Sequence, residues 1–248
     1  MGQVVKLSEL GNGIVQITME DRSSRNTFSI ELVTGIMEAF ETIKKTLAYK
    51  VVILTGYENY FCCGGTKVEL FKIYKGEAGF NTVNFFTYPL DCSIPVISAM
   101  QGHGIGGGFV FGLYADFSIL GRENIYTTNF MKYGFTPGMG ATLLVPLRLG
   151  ETVGTEMLFS AENYRGGELK ERGISLKVVP KTEVLKEAIA LAGILAEKPR
   201  LSLVALKEHL SADIKAKLPG IIKQELKMHD ITFHQPEVAE RIESLFGK

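Results

Sequence analysis

The chain alternates short apolar runs, typical of buried strands, with longer segments of helical spacing. The strand-like runs cover residues 13–19, 50–56, 94–102, 115–121 and 175–180. Between the first two, residues 29–47 repeat apolar side chains every three or four positions, and Ser29 is suited to cap the start of a helix. Strands joined through helices pair in parallel by right-handed crossovers. The order predicts an α/β fold with a mostly parallel, layered sheet.

From about residue 140 onward the pattern changes to successive amphipathic helices, among them RLSLVALKEHLSA and LPGIIKQELKMHDITFHQPEVAERIESLF. No internal repeat and no Pro- or Ser-rich linker separates this part from the rest. With 248 residues, 46% of them hydrophobic, the chain can bury a sizeable core. We therefore expect one main core over residues 1–190 and a helical region over 191–248 that packs on it or on a neighbouring subunit.

The charges balance: lysine plus arginine and aspartate plus glutamate each number 27. A chain of zero net charge has no long-range field to attract nucleic acid or an anionic membrane. The start, MGQVVKLSEL, lacks the features of a signal peptide, and no apolar run approaches the roughly 20 residues of a membrane span. We expect a cytosolic protein that binds neither nucleic acid nor membrane.

Three cysteines, Cys62, Cys63 and Cys92, are too few for a disulfide framework. We expect reduced thiols that act as small buried hydrophobes rather than as nucleophiles. The histidines and cysteines lack the spacing of metal ligands, so no metal site is predicted.

A glycine-rich segment, QGHGIGGGFVFGL (101–113), precedes an apolar helix-like run. It lacks the lysine of a P-loop and the acidic partner of a dinucleotide fingerprint, which disfavours phosphate binding. Backbone N–H groups at the start of a helix can instead face a developing negative charge. The alternative is that these glycines only let a helix pack closely against a strand.

A second glycine turn, Gly64–Gly65 in YFCCGGTKVELF, follows the strand-like run 50–56 and precedes another helix-like segment. The N–H of Gly65 could be a second donor. Two strand–turn–helix elements could then converge on one carbonyl oxygen and stabilise an enolate.

With these motifs the chain resembles the enoyl-CoA hydratase/isomerase (crotonase) superfamily over nearly its whole length, from NGIVQITMEDRSSRNTFS to NYRGGELKERGISLKVVP. The resemblance implies a crotonase-like spiral of repeated β-β-α units and a C-terminal helical region that completes the active site and a trimer interface. It also implies an acyl thioester, on coenzyme A or an acyl carrier protein, whose carbonyl oxygen lies between the N–H groups of Gly65 and Gly107.

The chain departs from the pattern of the hydratases, which carry two glutamates in this superfamily. The corresponding positions, three residues after Gly107 and seven before the proline of GFTPG, hold Val110 and Phe130. Neither side chain can move a proton or position a water, which disfavours hydration. Asn129 and Asp116 are the nearest polar side chains, and Asp116 resembles a structural position of the family.

Three further segments, NFMKYGFTPGMGAT, SLVALKEHLSADIKAKLP and FHQPEVAERI, are similar to the decarboxylating members of polyketide β-branching cassettes. This implies that a 3-methylglutaconyl group on an acyl carrier protein loses CO2 to give a 3-methylcrotonyl group. The dienolate formed would be stabilised by the two amides and reprotonated by one acid. No cofactor is implied beyond the phosphopantetheine or coenzyme A that carries the substrate.

The same resemblance implies a histidine near the substrate carboxylate. His229 matches it, with proton donation as its role. His103, His234 and His209 are weaker candidates, and His103 occupies the position of a pocket-lining loop residue.

A lysine is also implied, to pair with the carboxylate and hold it out of the dienolate plane. Of the lysines that follow Gly65, Lys75 is the first candidate and Lys72 the second. The tyrosine that accompanies this lysine in a related site is replaced here by Phe71 or Glu69. The side chains expected to bind substrate are Lys72, His103, Val110, Asn129 and Phe130.

Two other functions stay open at this point. One is a hydratase or isomerase of acyl-CoA, which Val110 and Phe130 disfavour. The other is a non-catalytic protein of the same fold that binds RNA or a partner, which the zero net charge and the intact glycine loop disfavour. The expected partners are an acyl carrier protein and further copies of the chain, as a homotrimer or a dimer of trimers.

Overall fold

The computed structural model describes residues 4–79 and 84–246, in which short strands alternate with helices. The strands are β1 Val5–Gly11, β2 Ile14–Met19, β3 Val51–Thr55, β4 Tyr60–Cys62, β5 Val96–Met100, β6 His103–Ile105, β7 Phe117–Gly121, β8 Ile125–Thr127, β9 Tyr164–Arg165 and β10 Lys177–Val179. The α-helices are α1 Ile30–Lys45, α2 Lys67–Tyr74, α3 Tyr88–Asp91, α4 Gly107–Leu113, α5 Ala141–Leu149, α6 Glu151–Ser160, α7 Gly166–Glu171, α8 Val184–Ala196, α9 Arg200–Thr232 and α10 Pro236–Leu245. Short 3-10 turns lie at Phe85–Thr87, Met131–Tyr133 and Lys181–Glu183.

The larger sheet has the strand order β1-β2-β3-β5-β7-β10. Strands β2, β3, β5, β7 and β10 pair in parallel, and β1 adds an antiparallel edge. Every residue of β3 and β5 is buried, as expected for strands covered on both faces. The predicted parallel sheet is confirmed.

A smaller sheet has the order β4-β6-β8-β9, with β4, β6 and β8 parallel. Each of β3, β5 and β7 is followed at once by a short strand of this smaller sheet, and the first two such pairs lead into helices α2 and α4. This is the predicted repeat of β-β-α units. Because β4 and β6 are parallel neighbours, the turns that lead into α2 and α4 lie side by side.

Helix α1 confirms the segment predicted over 29–47. Ser29 caps it, since its hydroxyl oxygen accepts from the N–H of Leu32 (3.1 Å) and its hydroxyl donates to Asp21 (2.6 Å). The buried face of the helix consists of Leu32, Gly35, Ile36, Ala39, Phe40 and Ile43.

Helix α8 covers one face of the larger sheet with residues spaced four apart. These are Val184, Ala188, Ala192 and Ala196, which pack on Val51, Ile53, Ile97, Ala99 and Ile119. The division expected at residue 190 falls inside α8, which packs on the core along its whole length. The break in secondary structure comes later, between α8 and α9.

Helix α9 is longer than the sequence indicated. RLSLVALKEHLSA and the next segment were expected to form separate helices, but α9 runs unbroken for 33 residues through Pro219 to Thr232. Proline removes one helix hydrogen bond, and tertiary packing of neighbours such as the buried Leu218 compensates for that loss. Within the described ranges no helix is both long and apolar enough to cross a bilayer.

Asp116 has the structural role expected of it. Its carboxylate accepts from the N–H of Val96 (2.8 Å) and forms an ion pair with the buried Lys207 of α9 (2.7 Å). The contact fixes α9 against the edge of the larger sheet at which β5 and β7 begin.

Candidate active site

A cavity of about 1190 Å³ opens beside the two glycine turns. Its walls come from the loop after β2, from α2, from the β6–α4 junction, from residues 129–139 and from Phe246 after α10. Most of the large side chains on it are apolar or aromatic: Phe28, Phe85, Phe86, Phe130, Tyr133, Phe135 and Met139. This space is large enough for an extended acyl chain with part of its carrier arm.

The two predicted oxyanion glycines both line this cavity. Gly107 is the first residue of α4, and Gly65 lies just before the Thr66 cap of α2. A Cβ built on Gly64 would be 3.2 Å from the nitrogen of Gly107, so the two turns are in contact. In the described part of the chain, neither the N–H of Gly65 nor that of Gly107 donates to another residue. The two residues that carry these unpaired N–H groups therefore line the same cavity.

The other glycines of the loop have a packing role. Gly106 has φ +54°, and a Cβ there would be 2.5 Å from Oδ1 of Asn129. A Cβ on Gly108 would be 2.2 Å from the carbonyl oxygen of Cys62 in β4. Close packing, the alternative interpretation of the glycine cluster, thus applies to Gly108, while Gly107 lines the cavity.

The predicted substrate-binding side chains divide into two groups. His103, Asn129 and Phe130 line the cavity, whereas Val110, contrary to expectation, is fully buried in α4 and does not. Position 110 is one turn deeper in the helix than Gly107. His103 lies on β6 rather than on a loop, and its Nδ1 accepts from the N–H of Ile125 (3.0 Å). Burial lowers the pKa of His103 and so favours the neutral ring. Because Nδ1 accepts a hydrogen bond, the neutral ring carries its proton on Nε2.

The candidate lysines differ in where they lie relative to the cavity. Lys75, the first candidate, is exposed at the end of α2 and does not line the cavity. Lys72 lines it, with its ammonium 2.7 Å from the carboxylate of Glu69. Lys132, which was not among the candidates from sequence, also lines the cavity, and its ammonium makes no ion pair or hydrogen bond with any residue in the described ranges. The sequence feature that could have indicated Lys132 as a cavity residue is its position two residues after Phe130.

His229 lies behind the cavity wall. It is 5% exposed and does not line the cavity, but Phe135, which does, packs edge-on against its ring. Its Nε2–H donates to the carbonyl of Thr136 (2.8 Å), and burial lowers its pKa. In this conformation His229 anchors the loop that carries Phe135. Its role as an acid stays a prediction.

Because burial lowers the pKa of His229, the free energy of unfolding should depend on pH. A histidine whose folded pKa lies below its unfolded value of 6.5 binds more protons when unfolded. We therefore expect the free energy of unfolding to fall as the pH drops through 6.5 toward the lower folded pKa. His229→Gln keeps an N–H for the Thr136 carbonyl but cannot titrate, so its stability should vary less over this window.

The measurement is urea unfolding at several pH values between about 5 and 8. His103 also has a lowered pKa, so His103→Gln serves as the parallel variant that separates the two contributions. A pH dependence as steep in His229→Gln as in the unaltered protein would contradict the prediction.

The cysteines behave as expected of buried thiols. Cys63 lines the cavity, but burial raises its pKa to about 12, and burial also raises the pKa of Cys62 and Cys92. All three are free thiols, protonated near neutral pH and therefore poor nucleophiles. Residues 4–79 and 84–246 contain no group of three or more His, Cys, Asp or Glu side chains placed to hold a metal ion.

The family model described as Enoyl-CoA hydratase/isomerase matches residues 9–246. The chain is 54% identical over 244 residues to the Bacillus subtilis (strain 168) bacillaene synthase decarboxylase PksI, covering 98% of both chains. It superposes with a TM-score of 0.95 on the ECH2 decarboxylase domain of CurF from Lyngbya majuscula, at 53% identity over 98% of this chain and 99% of that one. A structure described for a dehydratase/decarboxylase enzyme couple of polyketide β-branching gives a TM-score of 0.98 at 54% identity, covering 99% of this chain and 100% of that one.

Proposed function

The chain belongs to the enoyl-CoA hydratase/isomerase family, and we propose that it is a decarboxylase of polyketide β-branching that acts on a 3-methylglutaconyl-type thioester carried by an acyl carrier protein. One observation carries the choice of reaction. Gly65 and Gly107, the proposed oxyanion donors, both line the cavity, while Val110 and Phe130 occupy the positions where hydratases of this family carry their glutamates. The site can stabilise an enolate but has no carboxylate at those positions to activate water.

The reaction begins when the thioester oxygen accepts hydrogen bonds from the N–H groups of Gly65 and Gly107. The bond between the γ-carbon and the carboxylate breaks, CO2 leaves, and the electron pair of that bond moves into the conjugated thioester. The resulting dienolate carries its charge on the oxygen that the two amides face. One proton added to a carbon of the dienolate completes the reaction.

The aromatic wall favours decarboxylation over hydration. Phe130 is 5% exposed and packs edge-on against Phe135, with ring centroids 6.1 Å apart. An apolar wall excludes water from the reacting carbons. It also strengthens hydrogen bonds to the developing oxyanion, because the surrounding dielectric is low.

The substrate carboxylate needs a cation, and the structure supports Lys132 ahead of Lys72. Both line the cavity, but the ammonium of Lys72 is already engaged by Glu69 at 2.7 Å. Lys75, which is exposed and outside the cavity wall, is the weakest of the three candidates.

We expect Lys132→Met to lower kcat/KM for the carboxylate-bearing substrate by about 10- to 100-fold, the loss of one charge-assisted hydrogen bond. Lys72→Met should have a smaller effect and Lys75→Met little effect. Affinity for the decarboxylated product is the control, because the product has no carboxylate and should bind Lys132→Met normally. If Lys75→Met lowers kcat/KM more than Lys132→Met does, Lys132 is not the residue that binds the substrate carboxylate.

The proton donor is proposed to be His229, on condition that the loop around Thr136 moves. In the observed conformation the Nε2–H of His229 is held by the Thr136 carbonyl and the ring does not reach the cavity. A shift of Phe135 would expose the ring to the dienolate.

The activity is tested by incubating the protein with 3-methylglutaconyl acyl carrier protein and following the acyl mass. Loss of one CO2 is the expected result. Hydration of crotonyl-CoA without CO2 loss would favour a hydratase, and failure of both reactions would favour a binding protein of the same fold. Each of the last two outcomes overturns the proposed reaction.

Assembly as a homotrimer or a dimer of trimers is also proposed. Helix α9 exposes three large apolar side chains near its start, Leu201 (80%), Leu206 (56%) and Leu210 (67%). Exposed apolar groups on one helix are typical of a subunit interface. Sedimentation of the intact protein gives the number of subunits.

A further inference from the structure

Met139 packs directly against one of the two oxyanion glycines. A Cβ built on Gly107 would be 2.7 Å from Sδ of Met139 and 3.4 Å from its Cε, so the thioether is in van der Waals contact with Gly107. Met139 is 7% exposed and lines the cavity. An acyl group whose carbonyl oxygen binds the N–H of Gly107 must therefore pass this side chain.

The backbone at Met139 is strained. Its φ is +62°, a left-handed conformation that costs a residue with a side chain about 1–2 kcal/mol. Gly140, which follows, has φ +74° and tolerates that conformation without cost. Such strain persists only where the surrounding structure holds it in place, and it is concentrated at functional sites.

Two buried side chains hold this turn. The hydroxyl of Tyr114 donates to the carbonyl of Met139 (2.7 Å), and the N–H of Gly140 donates to the carboxylate of Glu225 (2.7 Å). The N–H and hydroxyl of Thr142 donate to the other oxygen of Glu225, at 2.9 and 2.7 Å. Tyr114 and Glu225 are each 1% exposed.

Helix α4 contacts Met139 at both of its ends, through Gly107 at its start and Tyr114 at its end. Helix α4 begins at Gly107 and ends at its cap, Tyr114. One end of the helix therefore presents the donor N–H, and the other end fixes the backbone of the residue that covers that donor. Glu225 joins the same turn to helix α9.

We propose that Met139 is the specificity-determining residue that limits the size of the acyl group next to the thioester carbonyl, with Tyr114 and Glu225 as its positioning residues. The inference depends on the proposed function for the identity of the acyl group. Met139 determines which thioesters fit the cavity, whereas the proposed function is the decarboxylation of the bound thioester.

The test compares two carrier-bound substrates that differ only in the group at carbon 3, methyl or propyl. Met139→Ala should shift the ratio of their kcat/KM values toward the propyl substrate by about 10-fold or more, the usual effect of methylene groups in an apolar pocket. Met139→Gly should shift the ratio equally and fold more stably than Met139→Ala, because glycine adopts φ +62° without strain. If Met139→Ala fails to fold, Met139→Gly gives the same readout.

The positioning residues are tested with Tyr114→Phe and Glu225→Gln. Each should shift the ratio in the same direction by a few-fold, because Met139 is then held less firmly. The control is Met157→Ala, since Met157 is fully buried outside the cavity wall. It should lower the melting temperature and leave the ratio unchanged. Lower melting temperatures in Tyr114→Phe and Glu225→Gln without any change of ratio would overturn their positioning role.

Binding of two unreactive ketone analogues, again methyl and propyl, separates this inference from the proposed reaction. If no CO2 is released but Met139→Gly shifts the ratio of the two dissociation constants, the reaction is wrong and the specificity role stands. The specificity role is overturned if Met139→Ala and Met139→Gly change neither the ratio of the kcat/KM values nor the ratio of the dissociation constants. It is also overturned if the unaltered protein binds neither analogue.

Discussion

Gly65→Pro is expected to lower kcat for CO2 release by about 10²- to 10³-fold. Proline has no backbone N–H, so the substitution removes one of the two donors that face the thioester oxygen. Gly65 lies outside α2, before its Thr66 cap, so no helix hydrogen bond is lost. A Cβ at this position would make only ordinary contact with Leu70, at 3.5 Å. The loss should therefore reflect transition-state stabilisation rather than misfolding.

Gly65→Ala is the matched control, because alanine adds the same Cβ and keeps the N–H. We expect it to retain most of the rate. Single-turnover measurement of the acyl mass gives kcat for both variants, and circular dichroism checks their folding. Equal rates in the proline and alanine variants would contradict a donor role for Gly65.

Gly107 does not offer so clean a test. A Cβ there would be 2.7 Å from Sδ of Met139 and 3.0 Å from Cε2 of Phe28. Any substitution at Gly107 therefore displaces the cavity wall as well as affecting the donor. The two glycines proposed as oxyanion donors differ in this respect although both line the same cavity.

The larger sheet could be predicted from sequence because its central strands are long apolar runs. The smaller sheet could not, because β4, β6 and β8 have three residues each, too few to show an alternating pattern. Yet this smaller sheet places the two glycine turns side by side. Their convergence was predicted only because each glycine turn lies between a strand and a helix.

The side chains around the acyl group were harder to predict than the backbone donors. Lys132 and Met139 lie in the segment between β8 and α5, which is held by contacts with Tyr114, Glu225 and His229 from distant parts of the chain. Helical spacing in α9 predicts which residues are buried but not what each of them contacts. The sequence therefore singled out His229 as a candidate, but its partner, the Thr136 carbonyl, could not be predicted.

The second large effect is expected at Lys207, which joins helix α9 to the core. Its ammonium, on a side chain 3% exposed, pairs with Asp116 at 2.7 Å and donates to the carbonyls of Pro89 (2.8 Å) and Ile94 (3.1 Å). These contacts satisfy all three of its N–H groups. Asp116 immediately precedes β7, and Pro89 and Ile94 lie in the segment that leads into β5, so one side chain connects α9 to two segments of the core.

Lys207→Met should reduce the free energy of unfolding by about 3–5 kcal/mol, because it leaves the Asp116 carboxylate and two buried carbonyls without their partner. Asp116→Asn should also destabilise, since it leaves the ammonium without its counter-charge. The double variant should lose less than the sum of the two single losses, because the charges depend on each other. Neither residue lines the cavity, so the folded variants should keep their rate of CO2 release. Urea unfolding measures these energies; a loss below about 1 kcal/mol in Lys207→Met would show that the pair does not hold α9 on the core.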